Sequence, residues 1–405
     1  MNVLMIAPAY PWEMTLFTRG LARVGAKVLG VGDTPRGGLP EIVRESLADY
    51  IQVPSLWDEA AVIQAVRRHP AARIIEQVEC LWEPGMILAA RLREALGVPG
   101  MTVEETLPFR DKEVMKRTLD RAGIRTPHHA RCVTSGEVHA AAERIGYPLI
   151  VKPIAGAGSK DTYRVDEPAD LPGVLAAVKH VEVVSVEEYI DGEEHTFDTI
   201  CAAGEILYLN IAWYRPRPLV QRQNEWVSPQ TVTLRDPFQE ALRPGREMGQ
   251  AVLKALGFKT GFTHMEWFMK PNGEAVFGEI GGRPPGGRST ELMNYACDID
   301  VFTGWAEAAV HKRFSQEIGR RYNCAIVIKR AQGKGRIQRI EGLERILSRF
   351  GDHIVCVDLL PLGAQRRNWL QTLISDGHVI LRHPHLETTL EMADTIAVEL
   401  QMYAG

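Results

Sequence analysis

Several features of secreted, membrane and zinc-binding proteins are missing from this sequence. Its cysteines form no CxxC pair, which excludes the common zinc-finger and redox patterns and favours reduced thiols. No stretch approaches the roughly 18–20 apolar residues of a membrane-spanning helix. The N-terminal apolar run lacks a basic segment and is broken by Pro8, unlike a signal peptide. We therefore expect a cytoplasmic protein. The six cysteines are Cys80, Cys132, Cys201, Cys297, Cys324 and Cys356.

An excess of positive charge and the common nucleotide-binding glycine motif are also missing. The net charge is −4 and the pI is near 6.3. These values argue against nucleic-acid binding, which needs a basic surface. The first apolar run is followed by Ala7-Pro8-Ala9-Tyr10 and not by GxGxxG, so a dinucleotide site of the Rossmann type is not expected. We expect neither a nucleic-acid nor a membrane partner.

The length suffices for two or three domains, and the apolar pattern changes twice along the chain. Residues 1–105 alternate short apolar runs with helical segments, which predicts a parallel βαβ domain with a strand over 73–78. Residues 106–315 contain two hairpin signals and one long helical segment at 289–310. Residues 316–405 predict a separate, smaller α+β module. The fold class is therefore multidomain, with α/β and α+β parts.

A lysine at the end of an apolar strand begins the first chemical signal. Lys152 is followed by a loop of small residues that contains Gly156, Gly158 and Ser159. Glycines let backbone N–H groups approach phosphate oxygens, and the lysine adds a positive charge. No GK[ST] closes the segment, so it is not a Walker A motif. A phosphate-binding loop and a plain tight turn both fit.

An acidic strand end carries the second signal. Glu187 and Glu188 end an apolar run, and Glu194 lies seven residues after the first of them. Backbone groups at such a strand end can bind the edge of a base, and a later carboxylate can accept hydrogen bonds from sugar hydroxyls. A solvated acidic turn remains the alternative.

Two glutamates on one predicted hairpin form the third and strongest signal. Glu266 and Glu279 lie on the two strands, in an apolar context, where two carboxylates would repel each other and lose hydration. A bound Mg²⁺ would offset that cost, because it prefers oxygen ligands. Arg283 follows Glu279 by four residues and can clamp a phosphate or carboxylate. A plain Glu279–Arg283 salt bridge is the alternative.

Taken in order, these motifs resemble the ATP-grasp superfamily. The resemblance covers about residues 105–310 and implies a two-lobed ATP-grasp fold, with the small lobe at about 125–190. The segment after about 320 is similar, more faintly, to the C-terminal module of the L-amino-acid (dipeptide) ligases, a group that includes carnosine-synthase-like proteins. The matching residues are Asp111-Lys112, Lys152 with its glycine-rich loop, Glu187 to Glu194, Glu266, and Glu279-Ile280-Gly281-Gly282-Arg283.

The resemblance implies where ATP would bind. Lys112 and Lys152 would contact its phosphates, and the loop with Gly156, Gly158 and Ser159 would close over them. The adenine would lie against a hinge, and the ribose would bind a carboxylate. The implied hinge residues are Glu187, Glu188 and Ile190, and the implied ribose ligand is Glu194.

The resemblance also implies a metal centre. Glu266 and Glu279 would hold Mg²⁺, with Mn²⁺ as an alternative, and Arg283 would face the acyl phosphate as a catalytic residue together with Lys152. The family usually has asparagine two residues after the second glutamate, whereas this sequence has Gly281. A third side-chain metal ligand is therefore missing, as dipeptide-ligase-like members tolerate.

Other residues admit a functional and a structural interpretation. His264 shares a strand face with Glu266, so it can contact substrate or serve as a structural histidine. Arg288 can bind a substrate carboxylate. Lys116 can be a second phosphate ligand but is more typical of a solvated helix lysine. The basic run at 214–218, together with Arg222, can recognise an anionic substrate but is more typical of a solvated loop.

The sequence therefore favours an ADP-forming, ATP-dependent ligase that joins a carboxylate to an amine through an acyl phosphate, on amino-acid-like small molecules. The alternatives are a bicarbonate-using or carbamoyl-phosphate-type ATP-grasp enzyme and a nucleotide-binding regulator without catalysis. Dimers are common among similar proteins, so a homodimer is an open expectation.

Lys152→Ala and Glu279→Gln should each abolish ADP formation, because the first removes a phosphate cation and the second a metal carboxylate. Circular dichroism should show an unchanged fold. The measurement is coupled-assay ADP production with the purified variants. Turnover like that of the wild type in either variant would contradict the assignment.

Overall fold

The computed structural model describes residues 1–154 and 161–405. The N-terminal elements are β1 (Asn2–Ile6), α1 (Met14–Arg23), β2 (Lys27–Gly32), α2 (Glu41–Ser46), β3 (Leu47–Gln52), α3 (Glu59–Arg68), β4 (Gln77–Glu79), α4 (Met86–Leu96) and α5 (Val103–Thr106). The strands pair in parallel in the order β3-β2-β1-β4, which confirms the predicted parallel domain. The strand expected over 73–78 is wrong over residues 73–76, because β4 begins only at Gln77. Residues Pro70–Ile74 form a 3₁₀ turn, which the His69 ring stabilises by accepting from the Ala71 N–H at 3.2 Å.

The next segment forms a small lobe. Its elements are α6 (Lys112–Arg121), β5 (His129–Cys132), α7 (Ser135–Ile145), β6 (Leu149–Pro153), β7 (Tyr163–Val165), α8 (Leu171–Ala177) and β8 (Val184–Glu188). The sheet order is β5-β8-β6-β7, with neighbours antiparallel. Apolar residues of α7 and α8 pack against β6 and β8. Since β6 and β8 are neighbours, Lys152 and Glu187 come together at one end of this sheet.

A large antiparallel sheet occupies the rest of the chain. Its order is β14-β13-β9-β11-β12-β15-β19-β18, and β10 pairs with the free part of β9. A smaller sheet has the order β16-β20-β17. The elements are β9 (Glu193–Ala202), β10 (Glu205–Asn210), β11 (Ala212–Arg215), α9 (Pro218–Gln223), β12 (Gln230–Thr233), α10 (Arg243–Ala255), β13 (Gly261–Met269), β14 (Ala275–Gly281), α11 (Ser289–Cys297), α12 (Val301–His311), β15 (Asn323–Lys329), β16 (Gln332–Gly333), β17 (Ile337–Glu341), α13 (Leu343–Phe350), β18 (Ile354–Leu359), β19 (Gly377–His383), α14 (Leu386–Glu399) and β20 (Gln401–Ala404).

The last part of the chain is joined to the middle part through this sheet. β15 pairs with β12 on one side and with β19 on the other, and β15 is buried along its whole length. This pairing joins the predicted final module to the middle of the chain through one sheet, and its separation as a domain stays a prediction. The predicted domain boundaries at about 105 and 315 stay a prediction.

The helical segment expected over 289–310 is two helices. Asp298 adopts a left-handed conformation with φ 53°, which ends α11, and Asp300 caps α12 by accepting from the Thr303 N–H at 3.2 Å. Aspartate is favoured at such caps because its short side chain can replace a missing helical hydrogen bond. The apolar pattern continued across this break and hid it.

An aromatic cluster joins the N-terminal region to the large sheet. The ring of Phe17 on α1 lies edge-on to Phe302 and Trp305 of α12, at centroid distances of 4.9 and 5.2 Å, and contacts Phe262 of β13 at 6.3 Å. These side chains are almost fully buried. The apolar residues are thus used for internal packing. None of the helices within residues 1–154 and 161–405 is long and apolar enough to cross a membrane.

Gly20→Ala should destabilise the protein, because α1 and α12 touch at this residue. A Cβ added at Gly20 would lie 2.6 Å from the carbonyl oxygen of Phe302, which is backbone and cannot swing away. We expect a loss of about 1–3 kcal/mol in the free energy of unfolding, despite alanine's better helix propensity. The control is Gly136→Ala in α7, where a Cβ meets nothing within 4 Å. Urea unfolding of both variants measures the difference, and equal midpoints would contradict the packing argument.

Candidate active site

A cavity of about 1030 Å³ lies where the N-terminal region, the small lobe, the large sheet and the C-terminal segment meet. This volume is at the upper end of the roughly 300–1,000 Å³ typical of small-molecule sites, so there is room for more than one small ligand. The predicted residues that line the cavity are Lys112, Lys152, Glu187, Glu188, Ile190, Glu194, His264, Glu266, Glu279 and Arg283. Gly156, Gly158 and Ser159, the predicted loop residues, lie outside the described residues.

The two strand glutamates are directly opposite each other. Glu266 of β13 and Glu279 of β14 are partners in the antiparallel register. Their side chains are 25% and 29% exposed, so both carboxylates reach the cavity and are not sealed in the core. A one-residue irregularity in the ladder follows Glu266. The sequence predicted this pairing, and the register places both side chains on the same face of the sheet.

A lysine keeps the second of these glutamates ionised. Lys112 Nζ lies 3.3 Å from Glu279 Oε2, so the alternative pairing of Glu279 with Arg283 is not the one that forms. Burial opposes ionisation, but Lys112 and Lys152 outweigh it and lower the pKa of Glu279 to about 2. The Glu266 carboxylate is bound instead by the Tyr214 hydroxyl, which donates at 3.3 Å. Glu279 is therefore a charged oxygen ligand at neutral pH.

These two carboxylates fit a divalent cation that is shared with phosphate. Mg²⁺ in enzymes is commonly held by one or two carboxylates together with substrate phosphates. Within residues 1–154 and 161–405, no group of three or more histidine, cysteine, aspartate or glutamate side chains is arranged to hold a metal by itself. Gly281 follows Glu279 on β14 and offers no side-chain ligand. Further ligands for a cation would have to come from bound phosphate or water.

A carboxylate shared by two lysines forms the second part of the site. Glu187 Oε1 lies 2.5 Å from Lys116 Nζ, and Glu187 Oε2 lies 2.9 Å from Lys152 Nζ. The Ser185 hydroxyl also donates to Glu187 at 2.8 Å. The Glu187 side chain is only 4% exposed. It therefore fixes the two lysines from within the wall of the cavity.

Lys116 was interpreted as a solvated helix lysine, and the structure shows that this interpretation is wrong. Its side chain is fully buried, because this face of α6 is turned toward Glu187 of β8. Lys112 and Lys116 are four residues apart on α6, so they share one helix face. This four-residue spacing is the feature of the sequence that could have indicated that Lys116 points the same way as Lys112.

The charge states of Lys116, Lys152 and Glu187 follow from their burial and from the attraction between the lysines and the glutamate. Burial lowers the pKa of Lys116 to about 8, against the pull of Glu187. Burial acts the same way on Lys152, but Glu187 and Glu279 outweigh it and raise the Lys152 pKa. Burial also opposes ionisation of Glu187, yet the two lysines hold its pKa well below the usual range. Lys152 therefore carries its full charge at neutral pH and faces the cavity.

Arg217, which belongs to the basic run at 214–218, lines another wall of the cavity. Arg217 Nε lies 3.3 Å from Glu194 Oε2, and its Nη1 donates to the Ile190 carbonyl at 2.8 Å and to the Tyr189 hydroxyl at 2.9 Å. The Arg217 side chain is 17% exposed, so the expectation of a solvated loop is wrong for this residue. Burial and the nearby Glu266 raise the pKa of Glu194 to about 8, against the effect of Arg217.

Glu188, which follows Glu187 in the predicted adenine hinge, is bound by Arg125. Both oxygens of Glu188 accept from Arg125 Nη2 at 2.9 Å, and Oε2 also accepts from the His128 N–H at 3.1 Å. The Glu188 carboxylate is therefore occupied at the edge of the small lobe. The Glu188 N–H donates to the His128 carbonyl at 2.8 Å, so neither this group nor the carboxylate is left to contact a base.

His264 is held by a buried aspartate that the sequence analysis missed. His264 Nδ1 lies 2.6 Å from Asp198 Oδ1, and Asp198 Oδ2 accepts from Thr196 and Asn210 at 2.7 and 2.9 Å. Burial disfavours the charged ring, but Asp198 outweighs it and raises the pKa of His264 to about 9. The other ring nitrogen lies 3.5 Å from Glu266 Oε1. The predicted substrate role of His264 stays a prediction, and its structural role is clear.

Arg283 is clamped by a glutamate from the N-terminal region. Glu83 Oε2 accepts from Arg283 Nε at 2.8 Å and from Nη2 at 2.7 Å, and Arg110 pairs with the other oxygen of Glu83. Glu83 lies 200 positions away from Arg283, so no local pattern could have indicated it. The clamp fixes the direction of the guanidinium at the cavity.

Arg288, the other predicted substrate residue, lies beside the cavity. Its guanidinium stacks on the Trp12 ring at 4.0 Å and pairs with Glu291 at 3.0 Å. Among the described residues it is Gly287 and Ser289, and not Arg288, that line the cavity here. Its predicted contact with a substrate carboxylate stays a prediction that this geometry does not favour.

Part of this chain matches a known protein family. Residues 145–291 match the ATP-grasp domain family, as the motif order predicted. An L-arginine-specific L-amino acid ligase from Bacillus subtilis is 28% identical over 239 residues, which are 57% of this chain and 56% of that protein. The chain spans about half the length of the first curated relatives that it matches.

Solved structures share the whole fold. An L-amino acid ligase from Bacillus licheniformis has a TM-score of 0.79 at 23% identity, with 100% of this chain and 98% of that chain covered. The N5-carboxyaminoimidazole synthetase from Staphylococcus aureus, solved with ADP, has a TM-score of 0.72 at 17% identity, with 98% and 96% covered. The predicted two-lobed fold with its N-terminal parallel sheet is thereby confirmed.

Lys116→Met should lower the free energy of unfolding strongly. The change leaves the buried Glu187 with one cation instead of two, and breaking a buried ion pair costs about 3–5 kcal/mol. We expect the lower end of that range, because Lys152 still pairs with Glu187. The measurement is chemical denaturation of the variant and the wild type, compared where the unfolding free energy depends on denaturant concentration with the same slope in both proteins.

The matched control for this change is Arg243→Met, which removes an exposed arginine paired with Glu240 and Glu247 on the surface. Exposed pairs contribute little to stability, so no clear change is expected in the control. Equal unfolding midpoints for the two variants would contradict a buried Lys116–Glu187 pair.

Proposed function

Because the chain contains an ATP-grasp domain, we propose that it is an ATP-dependent carboxylate–amine ligase that forms an amide through an acyl phosphate. The observation that carries the proposal is the convergence of lysines and opposed glutamates on one cavity. Lys112 pairs with Glu279 at 3.3 Å, and Lys152 and Glu266 line the same cavity. The similarity to an L-amino acid ligase supports amino-acid-like substrates.

ATP is proposed to bind between the small lobe and the large sheet. Lys112 and Lys152 would neutralise its phosphates, with Lys116 holding the Glu187 side chain behind them. The backbone near Glu188 and Ile190 would contact the adenine. The loop that contains Gly156, Gly158 and Ser159 is proposed to cover the phosphates.

Glu194 is proposed to bind the ribose. A carboxyl group with a raised pKa can accept and also donate a hydrogen bond, which suits a pair of sugar hydroxyls. Arg217 keeps the Glu194 side chain pointed at the cavity through their contact at 3.3 Å.

Glu266 and Glu279 are the residues that would hold Mg²⁺, or Mn²⁺ in its place. When bound, the cation supplies charge neutralisation for the phosphate oxygens. Its remaining ligands are proposed to be phosphate oxygens and water, since Gly281 gives none. Tyr214 and His264 orient the Glu266 carboxylate through their contacts at 3.3 and 3.5 Å.

In the proposed first step, a substrate carboxylate oxygen attacks the γ-phosphorus of ATP. The bond to the bridging oxygen breaks, and ADP leaves with the electron pair. Lys152 stabilises the charge on the transferred group, and Arg283, fixed by Glu83, stabilises the acyl phosphate. An amine then attacks the acyl carbon, the carbon–oxygen bond to phosphate breaks, and the nitrogen loses a proton as the amide forms.

The acyl phosphate must be kept from water. Residues 368–373 of the C-terminal segment line the cavity opposite the hinge, and Leu370 and Leu373 remain 43% and 59% exposed. We propose that this segment shields the reacting atoms when substrates are bound. A cytoplasmic location and a homodimer remain predictions.

The test is phosphate release with ATP and Mg²⁺ across all pairs of the twenty amino acids, with β-alanine and simple polyamines added. A ligase should show release that depends on a particular pair, because an acyl phosphate turns over only when an amine accepts the acyl group. Mass spectrometry of the product should show a mass equal to acid plus amine minus water.

Two outcomes would overturn the proposal in favour of its alternatives. ATP hydrolysis that depends on bicarbonate and ignores amino acids would indicate a carboxylating or carbamoyl-phosphate-type enzyme. Saturable ATP binding without turnover on any carboxylate would indicate a regulator. Glu279→Gln is the matched control in every assay.

A further inference from the structure

The cations of the cavity wall fall into two groups. Lys112, Lys152, Arg217 and Arg283 each form a salt bridge with a carboxylate of the wall: Glu279, Glu187, Glu194 and Glu83, respectively. Arg222 and Arg330 also line the cavity. In the part of the chain that the structure describes, neither of these two arginines forms a salt bridge.

Arg330 is built into the wall without a direct salt bridge in the described part of the chain, although the charges of Glu225 and Asp376 act on it. Its Nη1 donates to the carbonyls of Gln221 and Asn224 at 2.9 and 2.8 Å, so it closes the C-terminal end of α9. Its guanidinium stacks on the Trp369 ring at 4.4 Å. Burial lowers its pKa to about 10, with the Glu225 charge opposing. A half-buried guanidinium with only neutral direct contacts favours an anionic ligand.

Arg222 approaches the same part of the cavity from α9. Its side chain makes no hydrogen bond within the described residues, and its charge is near enough to lower the pKa of Arg330. Two like charges that face one space repel each other, which costs stability unless an anion lies between them. Arginine is well suited to such a site because its donors form a fork that matches a carboxylate.

The C-terminal segment adds a neutral donor to this region. Thr372 lines the cavity, and its hydroxyl is shielded from solvent yet has no hydrogen-bond partner among the described residues. Buried polar atoms without partners are uncommon in folded proteins, so this hydroxyl is also free for a ligand.

This region lies several strands away from Glu266 and Glu279, the carboxylates proposed to hold the metal. Arg330 follows β15, and Glu266 lies on β13; β9, β11 and β12 lie between them. At about 4.8 Å per strand the two backbones are roughly 19 Å apart. The arginines are thus placed away from the carboxylates that would hold the metal.

We propose that Arg222 and Arg330, with Trp369 and Thr372, form a subsite for a substrate carboxylate that does not react. The inference rests on the proposed ligase function, since it assigns part of that cavity to the substrate. The non-reacting carboxylate can belong to the amine or to the acid. In both cases one substrate is anionic at a position remote from the bond that forms.

The test compares probes that differ by one carboxylate, with protein saturated with Mg²⁺ and ADP. The amine arm uses 4-aminobutyrate and n-butylamine, and the acid arm uses glutarate and valerate. Calorimetry should show at least about tenfold tighter binding of the more anionic probe in one arm, which is the effect of one hydrogen-bonded charge pair. The arm that shows this preference identifies whether the non-reacting carboxylate belongs to the amine or to the acid.

Arg222→Gln should remove that preference, and Arg222→Lys should keep part of it. Arg243→Gln, an exposed arginine outside the cavity, should behave like the wild type. A preference that survives in Arg222→Gln, or no preference in either arm, would overturn the subsite. Binding of ADP to each variant is measured beforehand in a separate titration, so loss of the proposed nucleotide site would be distinguished from loss of the subsite.

Discussion

The contact that the rest of the site depends on is the carboxylate of Glu187 between Lys116 and Lys152. Three lysines converge on this wall of the cavity, and without an anion between them they would repel one another. Glu187 fixes two of them from behind, at 2.5 and 2.9 Å, and Glu279 holds Lys112 from the front at 3.3 Å. The three lysines are therefore held by ion pairs before any ligand binds, which is the preorganisation that the proposed phosphoryl transfer needs.

The large sheet distributes the remaining functions along its width. Glu266 and Glu279 lie on its first two strands, whereas Arg330 follows β15, four strands across. The C-terminal segment completes the far side, which explains why its strands are paired into the same sheet. As we propose, the sheet thus provides a nucleotide end and a substrate end.

Much of this arrangement could be predicted from the sequence, because the signals were local. Glu266 and Glu279 lie on one hairpin, so their opposition follows from strand register. The same holds for Lys152 at its strand end. Side chains that depend on distant partners were not predictable: Lys116 is buried by Glu187, 71 positions away, and Arg283 is clamped by Glu83, 200 positions away. No periodicity in a single segment reports such contacts.

The most direct measurement is the fate of carboxylate oxygen during turnover. The acid substrate is labelled with ¹⁸O in its carboxylate, and the released phosphate is examined by mass spectrometry. If the carboxylate attacks the γ-phosphorus, each phosphate carries one labelled oxygen from the acid and the nucleotide product is unlabelled ADP. Amide formation with unlabelled phosphate, or with the label in AMP, would contradict an acyl phosphate formed at this wall of lysines.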